Sequence, residues 1–200
     1  MAAGVARRAE VARKTAETEI TVDVALDGSG RCAADTGVGF FDHMLSAFAR
    51  TALVDLRLQC RGDLQVEAHH SVEDSGIALG LALRQALGER AGICRYGSAL
   101  LPMDDALARV ALDLSGRPYL VWEADLPLQS FGAFSTDLAL EFWRGLATNA
   151  GWTLHVDLLR ARNVHHGLEA IWKAVGLSLR QAAAPDPRIS GPLSTKGVLG

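Results

Sequence analysis

The chain is poor in the features that usually announce a protein's class. Its three cysteines, Cys32, Cys60 and Cys94, are odd in number, widely spaced and free of any CxxC pattern. That argues against a disulfide framework, fits a reducing cytosol and gives the thiols no role. No uninterrupted apolar run approaches membrane-spanning length, and the opening MAAGVARRAEVARK lacks the apolar segment of a secretory signal, so a cytoplasmic protein without a membrane partner is expected. Basic charge is not in excess either. Twenty Lys+Arg against 23 Asp+Glu leave a net charge of −3, so no global field points to nucleic acid or an anionic membrane, and any anion site must be local. Lysine is scarce: Lys14, Lys173 and Lys196 stand against seventeen arginines, which makes each worth attention although a solvated surface is the ordinary place for one. Histidine is scarcer than its arrangement would suggest, with only six in 200 residues.

Two of those six are adjacent in EAHHSVEDSGIALGLALRQA (67–86), and two more are adjacent 96 residues later in NVHHGLEAIWKAVGLSLRQA (163–182). Both copies read H-H-x-x-E, followed in register by G-L-x-L-R-Q-A. The duplication extends further. At an offset of 98, ITVDVAL (20–26) falls on PYLVWEA (118–124), FDHMLSAFA (41–49) on ALEFWRGLA (139–147), and VDLRLQ (54–59) on WTLHVD (152–157). Period-two and helical patterns make each half a strand, strand, short helix, strand, strand, long helix unit, too small to bury its apolar face alone. The expected fold is α+β: two pseudo-symmetric repeats, each a mostly antiparallel sheet with two helices on one face, packed as one unit of 49% hydrophobic composition. The halves are expected at about 5–92 and 98–185, joined through GERAGICRYGSALLPMDD (88–105), with a loop-like tail at 186–200 rich in Pro, Gly and Ser.

Successive helical side chains diverge by about 100°, so His69 and Glu73 at i and i+4 share a face while His70 points aside. Adjacent histidines therefore suit two metals better than one. By symmetry, His165 and Glu169 would join His70 at one site, and His69 and Glu73 would join His166 at the other. The alignment adds His43 to one set and Glu141, its counterpart, to the other. Imidazole and carboxylate without thiolate favour six-coordinate Mn²⁺ or Fe²⁺, with Zn²⁺ and Co²⁺ also compatible. A lone histidine is more often structural than a ligand, but five of six in duplicated context reverse that weighting. The sixth, His155, aligns with Arg57 on a strand face opposite Leu154 and Val156 and reads as structural.

These residues resemble the imidazoleglycerol-phosphate dehydratase family over nearly the whole chain. The resemblance is carried by RKTAETEI (13–20), FFDHML (40–45), EAHHSVEDSGIALG, GICRYG (92–97), PMDDALARVALDLSGRPYL (102–120), NVHHGLEA and STKGVL (194–199). It implies dehydration of D-erythro-imidazole glycerol phosphate to imidazole acetol phosphate in histidine biosynthesis, with two Mn²⁺ per active site. On that reading the C2 proton lies beside no carbonyl, so the imidazole ring would have to help, and metal charge stabilising it as an imidazolate would let its electrons expel the C3 hydroxyl, giving a diazafulvene-like intermediate. The resemblance further implies substrate contacts from Glu17, Arg95, Arg117, Lys173, Ser194, Thr195 and Lys196, the cations converging on a phosphate. Glu17 becomes the candidate proton-transfer group, and Asp104 and Asp105 receive no chemical role. Where some family members carry histidine in an EHFF-like stretch, this chain has LEFW, with Glu141 at that position. The family also implies a homo-oligomer, a shell of twenty-four subunits with active sites at subunit interfaces. Ligand chemistry alone leaves open a dinuclear metal hydrolase and a non-catalytic metal-binding oligomer.

Overall fold

The computed structural model describes residues 7–199, so residues 5 and 6 of the expected first half and Gly200 of the tail lie outside the described residues. The first half runs β1 (Arg8–Lys14), β2 (Thr18–Ala25), β3 (Cys32–Asp35), α1 (Gly39–Ala52), β4 (Asp55–Gly62) and α2 (His69–Leu87). The second runs β5 (Tyr96–Met103), β6 (Ala106–Asp113), β7 (Tyr119–Glu123), a short hairpin β8 (Ser130–Phe131) and β9 (Phe134–Ser135), α3 (Leu138–Ala150), β10 (Thr153–Arg160) and α4 (Val164–Ala182).

The two principal sheets have the same topology, β1-β2-β4-β3 and β5-β6-β10-β7. In each, the strand before the short helix runs parallel to the strand after it, while the other pairs are antiparallel. A parallel pair needs a crossover, and α1 and α3 are those crossovers. Strand β2 shows why one face is buried: in TEITVDVA, Thr18, Ile20, Val22 and Val24 point inward and the residues between them point outward. Both short helices end on a left-handed residue at the equivalent place, Leu53 (φ 55°) and Gly151 (φ 69°).

Three expectations are corrected. Each half is strand, strand, strand, short helix, strand, long helix, because the third strand precedes the short helix. The counterpart of β2 is β6, not the 118–124 stretch, which contains β7 and matches β3. Alternation at period two is common to every half-buried strand, so pattern alone cannot say which strands correspond, whereas ladder pairing does. The 98-residue offset holds only from the short helix through the strand after it, since β8 and β9 lie in a stretch between β7 and α3 where the first half has only 36–38, and at the HH motifs it is 96. Lastly, 88–105 is not all connection: its second part is β5, which starts at Tyr96.

The helices join the halves by exchange. Helix α2 lies on the first sheet and packs against α3, while α4 lies on the second and packs against α1. Their aromatic residues form one shared core: Phe142 stacks on Trp172 at 4.5 Å, Trp143 lies 4.7 Å from Trp172, and Phe41 meets Phe142 edge-on at 5.3 Å. Backbones approach closely where glycine permits it. A Cβ on Gly176 of α4 would stand 2.6 Å from the Phe48 carbonyl oxygen of α1, and one on Gly80 of α2 would stand 2.6 Å from that of Leu146 on α3. Gly176→Ala is therefore expected to destabilise the fold by about 1–3 kcal/mol through overpacking. The melting temperature of the metal-free variant, at matched protein concentration, should fall by several degrees; an unchanged value would mean the helices separate at little cost.

Candidate functional site

The exchange of helices brings side chains from different segments together at the start of α4. Asn163 caps this helix, its side-chain oxygen accepting from the backbone N–H groups of His165 and His166. One turn on, Glu169 follows His165 on the same face, and His43 arrives from α1. His165 Nε2 is 3.1 Å and His43 Nε2 is 3.3 Å from Glu169 Oε2. Among the described residues, His43, His165 and Glu169 form the one group whose potential ligand atoms all lie within 4.8 Å of one another. Such spacing suits one ion bound at about 2.0–2.2 Å from each donor.

The surroundings are built for this. Glu169 is buried, which pushes its carboxyl up, but Lys173, whose Nζ lies 2.7 Å from Oε1, and then His43 more than offset this and hold it below its ordinary value. It is therefore ionised at neutral pH. Phe40 and Phe131 stack at 4.3 Å and both stand edge-on to His165, at 5.1 and 5.9 Å. Phe131 belongs to the β8–β9 hairpin, so the one addition to the second half supplies a wall of this cluster.

The equivalent place on α2 has a looser arrangement. His69 Nε2 is 3.8 Å from Glu73 Oε2. Glu141, on the neighbouring α3, is engaged by Arg144 at 2.6 and 2.7 Å. Carboxylate at this position keeps the donor chemistry of a hard divalent cation.

The second histidine of each pair turns aside, as helical geometry requires. Within one chain His70 does not join His165 and Glu169, and His166 does not join His69 and Glu73 in a group. His70 Nδ1 lies 3.1 Å from Asp63 Oδ2, with Nε2 3.7 Å from Glu17 Oε1. His166 Nδ1 lies 2.7 Å from Asp105 Oδ1, with Nε2 3.7 Å from Asp104 Oδ2. A ring whose Nδ1 donates to a carboxylate keeps its Nε2 lone pair for another partner. Asp63 and Asp105 thus acquire a role that no motif gives them: one lies in the loop ahead of the helix, seven residues from its histidine, and the other in a turn 61 residues away.

The anion-binding candidates form a second place. Arg95, Arg117, Ser194, Thr195 and Lys196 all line an open groove of about 890 Å³, together with Tyr96 and Arg188. None of the paired histidines lines it, nor does Lys173, which is engaged with Glu169 instead. Asp113 organises the groove: it accepts from Arg95 Nε at 2.7 Å and Nη2 at 3.0 Å, and lies 3.7 Å from Arg117. Arg95 Nη1 also donates to the Leu193 carbonyl at 2.6 Å, which ties the tail to the second half. Lys14 takes no part; it pairs with Glu19 on the exposed first sheet. His155 faces outward from β10, as expected of a residue equivalent to Arg57.

Comparison with known proteins gives a consistent picture. A family model described as imidazoleglycerol-phosphate dehydratase matches residues 36–179. A Cereibacter sphaeroides protein named imidazoleglycerol-phosphate dehydratase is 58% identical over 194 residues, covering 96% of this chain and 100% of its own. A Paracoccus denitrificans protein of the same name is 57% identical with the same coverage. Among solved structures, imidazoleglycerol-phosphate dehydratase from Staphylococcus aureus superposes with a TM-score of 0.81 at 36% identity, covering 90% of this chain and 99% of that one. IGPD from Pyrococcus furiosus gives 0.80 at 38% identity, covering 94% and 100%.

The His70–Asp63 pair makes a test of the geometry without any ligand. The hydrogen bond to Asp63, first, and the charge of Glu17 outweigh desolvation and raise the His70 pKa. A raised pKa means stabilisation that is fully present below the unfolded value of about 6.5 and lost as pH rises through the folded value. In metal-free protein, Asp63→Asn should therefore lower the urea midpoint more at about pH 5.5 than at about pH 8.5. An equal loss at both would detach His70 from Asp63.

Proposed function

Because the chain belongs to the imidazoleglycerol-phosphate dehydratase family, a hydro-lyase of histidine biosynthesis, we propose that its specific reaction is conversion of D-erythro-imidazole glycerol phosphate to imidazole acetol phosphate and water, in the cytoplasm, with two Mn²⁺ per site. The observation that carries the reading is the convergence of His43, His165 and Glu169 from two helices onto a space of one ion's size. The donor set fits: nitrogen and carboxylate, no thiolate, with an ionised buried glutamate. Bound there, the metals supply Lewis-acid charge that stabilises the substrate's imidazole ring as an anion.

The chain's own residues have separable tasks. His43, His165 and Glu169 would hold one ion; His69, Glu73 and Glu141 would hold the other, Glu141 leaving Arg144 to do so. His70 and His166 would complete these sets from a neighbouring copy, their Nε2 atoms kept available by Asp63 and Asp105. Arg95, Arg117, Ser194, Thr195 and Lys196 would grip the phosphate through charge-assisted hydrogen bonds. Phe40 and Phe131 would exclude water from one side. Lys173, beside Glu169, would stand where a substrate oxygen can reach it. Glu17 would carry the C2 proton: its carboxylate is exposed, makes no side-chain hydrogen bond among the described residues, and stands beside His70.

A phosphate groove and a histidine cluster that share no lining residue within one chain are reconciled if the site is completed between copies, in the twenty-four-subunit shell that the resemblance implies. Metal binding would then supply assembly energy. Chelation is expected to shrink the particle, and light scattering showing an unchanged size after verified metal removal would count against shared sites.

Turnover is the direct test. Purified protein with Mn²⁺ should convert imidazole glycerol phosphate to the acetol phosphate; no conversion across a range of divalent metals would overturn the assignment. Glu17→Gln should keep metal content and most substrate affinity but lose about 10²–10⁴-fold in kcat, the usual loss for a positioned acid or base. Lys196→Ala should raise KM with metal content intact. Metal loss in Glu17→Gln would instead make Glu17 part of the metal site.

A further inference from the structure

The hairpins that open the two halves share one plan but are held by different chemistry, which makes the second a built-in control for the first. Arg13 pairs with Ile20 and Ile20 with Cys60 across the first sheet; Leu101, Ala108 and Leu158 occupy the same ladder positions in the second. With the HH motifs aligned, Asp74 corresponds to Ala170. Thus Arg13, Thr18 and Asp74 stand where the second half has Leu101, Ala106 and Ala170. The second set is apolar, and Ala106 and Ala170 are buried. The first is an ionic network: Arg13 Nη1 lies 2.5 Å from Asp74 Oδ2, and Thr18 Oγ1 donates to the same oxygen at 2.5 Å. Thr18 is 3% and Asp74 7% exposed. Burying an ionised group carries a desolvation cost, and the second half shows that a hairpin can dock on its helix without one.

The difference lies in the turns above. Glu17 and Asp105 occupy the same place in the β1–β2 and β5–β6 turns. Asp105 is fully committed, accepting from the backbone N–H groups of Arg162 (2.6 Å) and Asn163 (2.9 Å) and holding His166. It is the tether of its own turn. The first turn is tethered otherwise. Thr15 Oγ1 accepts from the N–H groups of Glu17 (3.1 Å) and Thr18 (2.9 Å) and lies 3.3 Å from Thr18 Oγ1, while the Glu17 carbonyl accepts from Asp63 at 3.1 Å.

We infer that Arg13, Asp74 and Thr18 are a positioning unit that fixes the β1–β2 turn from below, so that the Glu17 carboxylate stands beside His70 without serving as a tether. The inference rests on the proposed role of Glu17 and adds residues that reach the reaction only through it.

The experiment combines Thr18→Val, Thr18→Ser and Asp74→Asn, each alone and together with Glu17→Gln, on the metal-loaded protein. Metal content, kcat, KM and hydrogen–deuterium exchange of the peptide covering the turn are measured. Thr18→Val and Asp74→Asn should exchange faster in the turn and lose kcat on the order of 10- to 100-fold, the scale of a misplaced group. Metal content and KM should stay near wild type, and Thr18→Ser should restore both kcat and protection. In the Glu17→Gln background neither substitution should reduce kcat further, a non-additivity that a general structural role would not produce. Wild-type kcat in Thr18→Val and Asp74→Asn alongside an impaired Glu17→Gln would overturn the positioning unit and leave the role of Glu17 standing. Losses that multiply with Glu17→Gln would overturn it as well. Wild-type turnover in Glu17→Gln would remove the role of Glu17 and the inference with it. Should Asp74→Asn fail to fold, Thr18→Val alone decides, since it removes one hydroxyl and leaves the ion pair.

Discussion

The close approach of α4 to α1, and of α2 to α3, is the contact on which the rest depends. Donors from separate segments can share one ion only when held to within about half an ångström, and His43 reaches His165 and Glu169, a group that could hold one, because α1 is pressed against α4. Glycine at the crossing allows backbones to touch; Phe41 of α1 stands edge-on to Trp172 of α4, and Trp172 in turn packs on Phe142 and Trp143 of α3, tying the two helix pairs into one core. Core packing and ligand geometry are therefore one constraint. Each half lends its long helix to the short helix of the other, so neither half could form its site alone.

Duplication gave the chain two similar frameworks, and their differences show where chemistry was added. Lys173, one of only three lysines, faces Glu169; its counterpart eight residues past His69 is Ile77. Arg144 occupies Glu141 in the other cluster. Glu169 and Glu141 are thus each balanced by a cation from their own helix, which limits the charge that the unloaded clusters must bear, whereas Glu73 has only His69 beside it among the described residues. The β8–β9 hairpin, absent from the first half, adds an aromatic wall to one cluster only. The two equivalent clusters consequently differ in exposure and in their neighbours, Glu169 being buried and Glu73 partly open to solvent.

Carboxylates recur in a supporting role across the molecule. Asp63 and Asp105 orient the side-turned histidines, Asp113 holds Arg95 and Arg117 in the groove, and Asp74 anchors the hairpin beneath Glu17. Their own task is geometric. Ionised oxygen accepts from several donors at once, so one aspartate can fix two or three groups whose positions matter more than its own. The pair Asp186 and Arg188 does the same for the tail, with the Asp186 carboxyl drawn down to about 2 by that guanidinium and by the Arg188 N–H.

The repeated HHxxE, the helix spacing of His69 with Glu73 and of His165 with Glu169, and the alignment of His43 with Glu141 were legible in the sequence because helical periodicity and duplication are local or directly comparable patterns. So were the α+β class, the correspondence of α1 with α3 between the repeats, and the loop-like tail. Strand correspondence was not: β2 and β7 alternate alike, and only hydrogen-bond register distinguishes them. The partners of His70 and His166 were also illegible, since Asp63 lies before its helix and Asp105 in a distant turn, and nothing in linear spacing links an aspartate to a particular imidazole nitrogen. Sequence determined which donors exist and which helix face carries them. Tertiary structure decided which donors meet, which are kept apart within a single chain, and which are oriented by carboxylates, because those outcomes depend on how helices cross and turns fold over them.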